Sequence, residues 1–163
     1  MHISHDDVLL FIDRALDGML RIVEELGDER ANRRPDLPGA NSPYAILTHC
    51  IGVANYWIGA LLAQRHLPRD RGAEFRAQGT VDDIRRVVRT LQRQLREDIT
   101  HVRGEQPLVS APVSAYTPMG YDAGWTQGAA LLHAYEELVQ HHGQMEITRD
   151  MLLQESKAGA PAS

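Results

Sequence analysis

The chain has 163 residues with 43% hydrophobic content, enough for one compact domain that buries roughly 70% of its unfolded surface. Its 17 basic against 22 acidic residues give a formal net charge of -5, which argues against a protein that grips phosphate backbones nonspecifically, so no nucleic-acid partner is expected. A single cysteine, Cys50, excludes an intrachain disulfide and any multi-cysteine zinc site.

The opening Met1-His2-Ile3-Ser4-His5-Asp6-Asp7 is polar and acidic where a signal peptide needs a basic region and an apolar run, so the expected location is cytoplasmic. Ser4 followed by Asp7 reads as a capped helix start. Val8, Phe11, Ile12, Ala15, Leu16, Met19, Val23 and Leu26 then keep one apolar face until Gly27. Residues 28–41 carry Pro35, Pro38 and Gly39 and read as a connection. Ser42-Pro43 opens a second helix of the cap plus first-turn proline type, and Tyr44 to Gln64 contains no charged residue. A membrane span is one reading of that run. His49, Asn55, Thr48 and Gln64 interrupt it and its flanks lack anchors, which favours a buried central helix and no membrane partner. A histidine in the middle of such a helix must have a partner, because an unpaired buried imidazole carries a desolvation cost. Gly52 and Gly59 are expected to let another helix come close.

Residues 65–79, with Pro68, Gly72 and Gly79, read as a long loop. Thr80 with Asp83 repeats the capping signature, and Ile84, Val87, Val88, Leu91, Leu95 and Ile99 mark a third amphipathic helix. Its other face carries Arg85, Arg86, Arg89, Arg93 and Arg96. This row reads as a solvated face, with an anionic ligand or an oligomer contact such as a homodimer as the alternative. Prolines at 107, 112 and 118 keep residues 104–125 from forming a helix. Thr126 caps a fourth helix running to about Gln154, leaving 155–163 as a small-residue tail expected to be disordered. The expected fold is therefore all-α: a four-helix bundle with long connecting loops, one domain over residues 1–154.

Sites in bundles are built from side chains on facing helices. On the last helix Glu137 and His141 lie four apart, on one face and about 6 Å apart along the axis, so a carboxylate oxygen and an imidazole nitrogen can converge on one ion. His49 is the natural third ligand. Three protein ligands and an open position describe a catalytic rather than a structural metal centre, and these donors accept zinc first, with nickel, manganese or iron as other fits. Each residue also has a plainer reading: His49 as a satisfied core histidine, Glu137 as a solvated helix residue, His141 and His142 as surface histidines. His133, four residues before Glu137, is a rival ligand, and Cys50 reads as packing. Tyr116, Met119, Tyr121 and Trp125 immediately precede the ligand helix and are expected to wall a pocket, with covering the end of the bundle as the plainer reading. Arg149, two turns beyond His141, would hold a substrate carboxylate if it points inward; a surface ion pair with Glu146 or Asp150 is the alternative.

The run His133-Ala134-Tyr135-Glu136-Glu137-Leu138-Val139-Gln140-His141-His142-Gly143-Gln144, continuing to Arg149-Asp150, resembles the last-helix signature of the DinB-like metal-binding bundles, particularly the branch that includes mycothiol-dependent maleylpyruvate isomerase. His49 within Ile46-Leu47-Thr48-His49-Cys50 resembles that family's second-helix ligand. The resemblance implies a divalent metal held by His49, Glu137 and His141. Gln144 matches the Gly-Gln ending of the broader family, where the isomerase branch tends to have Gly-His. In chemical terms the resemblance implies a transferase whose metal activates a low-molecular-weight thiol cosubstrate, of mycothiol or bacillithiol type, for attack on an organic electrophile. Tyr116, Tyr121, Trp125 and Arg149 are the residues expected to contact those small molecules. The arginine-rich composition leans toward a bacterial, mycothiol-using source. Metal-dependent hydrolysis is the rival enzyme reading, and a non-catalytic metal-binding or stress-response protein is the third.

Overall fold

Four side-chain caps set the four long helices. Ser4 Oγ accepts the Asp7 N–H at 3.1 Å while Asp7 returns a carboxylate to the Ser4 N–H at 3.0 Å, a reciprocal capping box. Ser42, Thr80 and Thr126 accept from Ala45, Asp83 and Ala129 at 3.3, 3.1 and 3.1 Å. The structure, a computed structural model, describes residues 3–113 and 124–158. It contains α1 (His5–Ala31), α2 (Pro43–Ala54, continued by the π-helical Asn55–Leu62), a short α3 (Arg71–Glu74), α4 (Val81–Asp98, closed by a 3-10 turn at Ile99–His101) and α5 (Gln127–Ala158). No strand forms among the described residues beyond an isolated bridge between Pro107 and Thr126.

The long helices pack in the ring order α1, α5, α2, α4, with α1 also touching α2 across the middle. Buried apolar faces come from three sides: Ile12, Leu16, Met19 and Val23 from α1 and Ile84, Val88, Leu91 and Leu95 from α4, as expected, and Leu131, Ala134, Leu138, Met145 and Leu152 from α5. Val8 is half-buried against this core, and two other residues of the predicted faces are exposed. Phe11 is 46% exposed and lies edge-on to Tyr135, and Val87 is 48% exposed. The segment Pro43–Leu62 is long and apolar enough to cross a membrane by length and composition, yet 78% of its most apolar window is buried inside the bundle. Helix neighbours take the place that lipid would occupy.

Several local features depart from the expectations. The α1 chain does not stop at Gly27; it kinks there, with φ 67° and ψ 174°, and adds a further turn to Ala31. Asn32 then pairs with the Gly79 backbone in both directions, at 2.8 and 3.1 Å, which brings the start of α4 beside the end of α1. The glycines of this helix admit side chains of the segment that follows it: a Cβ on Gly52 would meet Glu74 of the short helix α3, and one on Gly59 would meet Arg65 and Leu67 of the connection. The arginine row of α4 is not simply solvated, because Arg85, Arg89 and Arg96 reach across to Glu24, Asp17 and Asp13 of α1. Helix α5 runs past Gln154, and Glu155 accepts the Asp36 N–H at 3.0 Å.

The kink at Gly27 lies in backbone space that only glycine enters at low cost, and a Cβ there would meet nothing within 4 Å. Gly27→Ala therefore isolates a pure backbone penalty of about 1–3 kcal/mol, on the order of 5 °C in Tm for a domain of this size. Thermal unfolding against Glu29→Ala, an exposed control two residues on, checks this; equal stability of the two variants would contradict it.

Candidate metal centre

His49 comes from the middle of α2, Glu137 and His141 from the face of α5 packed against it. One ligand atom from each lies within 4.8 Å of the others. The Glu137 Oε2 is 4.0 Å from His49 Nε2 and 3.8 Å from His141 Nε2. Two atoms on one ion at ~2.0–2.2 Å can stand at most about 4.2 Å apart, and both distances already satisfy that limit. Drawing all three onto one ion takes a side-chain adjustment on the order of 1 Å. The His49 side chain is 2% exposed, against 30% for Glu137 and 23% for His141, so the cluster is closed on the α2 side and open beyond α5.

Both imidazoles have their other nitrogen engaged. His49 Nδ1 donates to Glu74 Oε2 at 2.8 Å, and His141 Nδ1 donates to Gln144 Oε1 at 2.8 Å. With Nδ1 as the donor, the neutral form of each ring presents its Nε2 lone pair toward Glu137, the arrangement in which an outer partner orients a ligating histidine. His49 is further fixed by Phe75, stacked at 4.4 Å, and by the perpendicular ring of His141 at 5.0 Å.

Glu74 is the functional residue that the sequence reading missed. It sits in a stretch read as loop, on a helix of only four residues that has no periodicity to detect; Asp70 caps that helix by accepting the Ala73 N–H at 2.9 Å. The one signal was indirect, the requirement that His49 have a partner. Burial alone would raise the Glu74 carboxyl, but the hydrogen bonds from His49 and Arg69 and the charge of the Arg69 guanidinium outweigh it and hold the group below the usual carboxylate range.

The other candidates divide. His133 does not join the cluster: it stands edge-on to Trp57 at 4.7 Å and to Trp125 at 5.3 Å, with Nδ1 3.5 Å from Glu136. Trp125 stacks on Trp57 at 5.6 Å, so both indoles meet His133 one turn of α5 before Glu137. Trp125 is held there because the ends of the preceding loop are tied together, Leu108 N–H to the Trp125 carbonyl at 3.2 Å and Gln127 N–H to the Gln106 carbonyl at 2.7 Å. Tyr116, Met119 and Tyr121 lie outside the described residues. His142 faces α1, its ring over Gly18, with Glu146 4.0 Å away. Arg149 takes the surface ion pair that stood as the alternative to a substrate contact, with its guanidinium on Asp150 at 2.8 Å and Glu25 at 3.7 Å.

The family model described as mycothiol-S-transferase matches residues 7–154, a span that takes in the whole cluster and Glu74. A search of curated proteins gives no significant match.

Cys50 is fully buried beside this cluster. Desolvation first, and the negative charges of Glu137 and Glu74 next, push its thiol far above the ordinary range. Since the thiolate is the reactive form, the native protein should leave Cys50 unmodified by a disulfide thiol reagent at pH 8, with one equivalent reacting only after denaturation. Rapid native labelling would contradict the assignment of Cys50 to packing.

Proposed function

The chain belongs to the mycothiol S-transferase family, and from that membership we propose that it is a metal-dependent transferase joining a low-molecular-weight thiol to an organic electrophile. The observation that carries the reading is the convergence of His49 Nε2, Glu137 Oε2 and His141 Nε2, with both Nδ1 atoms already committed. Two imidazoles and one carboxylate suit a divalent ion, zinc first and nickel, manganese or iron as other fits. A metal bound there supplies a Lewis acid that favours thiolate over thiol near neutral pH.

The residues divide the remaining work. His49 and His141 present neutral nitrogens, and Glu137 brings one negative charge, so the three together leave a divalent site with net positive charge, suited to an anionic sulfur. The exposed side of Glu137 and His141 is where thiol and electrophile would enter. Trp125, stacked on Trp57 and edge-on to His133, offers an apolar wall beside the turn that precedes Glu137; such walls with a few polar groups are what small-molecule sites need. The sulfur, its thiol proton released to solvent, would attack an electrophilic carbon, forming the carbon–sulfur bond as that carbon's bond to its leaving group breaks and the group departs with the electron pair. Cys50 stays out of the reaction, so the nucleophile is a cosubstrate. All three ligand residues come from one chain, so the reading needs no second copy, no nucleic acid and no membrane. It suits the cytoplasm, where thiols are kept reduced.

The assay supplies mycothiol, bacillithiol, glutathione and cysteine separately with a chromogenic electrophile and follows conjugate formation with and without chelator. Metal-dependent conjugation is expected with mycothiol. His49→Ala and His141→Ala should lose about 100-fold or more, since even outer-shell changes cost 10–100-fold in metal sites. No thiol reacting faster than the chelated control would overturn the reading. Hydrolysis of an ester or amide panel would then favour metal-activated water, and silence in both panels a binding protein without turnover.

A further inference from the structure

We propose that Arg69 and Glu74 form a positioning relay that fixes the tautomer and aim of His49, an inference that rests on the metal reading above. Arg69 grips Glu74 with two parallel bonds, Nε to Oε1 at 2.8 Å and Nη2 to Oε2 at 3.1 Å, the fork-on-fork geometry that adds directional specificity to charge. The side chains of Arg69 and Glu74 are 8% and 9% exposed. A carboxylate only accepts, so the 2.8 Å contact from His49 places the ring proton on Nδ1 and leaves Nε2 as a lone pair. The opposite tautomer would set two acceptors face to face at that distance.

The backbone of α2 is cut to fit this carboxylate. Gly52 lies three residues after His49, on the same face, and a Cβ there would stand 2.1 Å from Glu74 Oε1. Phe75, the next residue after Glu74, covers one face of the imidazole. The two histidines are thus anchored unequally. Among the described residues His141 Nδ1 meets the amide oxygen of exposed Gln144 on its own helix, whereas His49 has a buried, charged acceptor delivered by a separate segment. Glu74 and Arg69 act through His49 and do not face the open side of the cluster.

Three variants test this in the full chain. Glu74→Gln keeps the shape and removes the charge; Gly52→Ala displaces the carboxylate without altering a polar group; Gln144→Ala is the comparison on the other histidine. Long-range proton–nitrogen spectra of the metal-free protein report each histidine tautomer, and competition with a chromogenic chelator reports zinc affinity. The wild type should show His49 protonated at Nδ1. Glu74→Gln and Gly52→Ala should lose that signature and bind zinc about 10–100-fold more weakly, with a smaller loss in Gln144→Ala. If Glu74→Gln does not fold, Arg69→Lys, which cannot make the bidentate grip, carries the same readouts. An unchanged His49 signature and zinc affinity within twofold of wild type in the folded variants would overturn the relay. A wild type that takes up no zinc would instead overturn the metal reading beneath it, which separates the two failures.

Discussion

One buried imidazole constrains much of this molecule. His49 sits in the middle of a helix without a single charged residue, and leaving its buried polar atoms unpaired would cost about 1–3 kcal/mol. Nothing on α2 can satisfy both ring nitrogens. One is met by Glu74, which in turn needs Arg69 because a buried carboxylate must be paired. The segment between α2 and α4 therefore cannot be a detached loop: Asp70 caps a single helical turn that turns Glu74 inward, and Gly52 clears the space it enters. The second nitrogen is left pointing at α5.

That direction matters because of the ring order of the bundle. With α5 packed between α1 and α2, the Glu137 and His141 face meets His49, while the charged seam lies on the far side between α1 and α4. There Asp13, Asp17 and Glu24 receive Arg96, Arg89 and Arg85. Exposed pairs of this kind are worth about 0–1 kcal/mol each, so the seam contributes more to which faces meet than to overall stability. Among the described residues the cluster that could hold an ion lies at this one interface, and the tryptophan pair of Trp57 and Trp125 flanks it through His133, a turn away along α5.

The candidate cluster was legible in the sequence because two independent patterns carry it: a spacing of four on α5 and a lone histidine in an uncharged run. Helix starts were equally legible, since Ser4, Ser42, Thr80 and Thr126 each cap in the structure as their spacing suggests. What was not legible depends on partners distant along the chain. Glu74 lies on too short a helix for a period to register, and the arginines of α4 find their acids on α1 only once the ring order is known. Gly27 marks a real break in helical backbone, yet whether the chain ends or kinks there is decided by the turn beyond it. The π-helical Asn55–Leu62 has no compositional mark at all, and it carries Tyr56 and Trp57 into place near the cluster. Arg149 shows the converse, a plausible inward residue whose charge is taken by Asp150 and Glu25 on the surface.

The proposed site puts one divalent ion on His49, Glu137 and His141 and leaves His133 outside it. Elemental analysis of purified wild type and of His133→Ala, Glu137→Ala and His141→Ala, loaded with zinc and desalted, tests it most directly. About one equivalent is expected in the wild type and in His133→Ala, with loss of bound metal in Glu137→Ala and His141→Ala. Full metal retention in His141→Ala, or its loss in a folded His133→Ala, would contradict it.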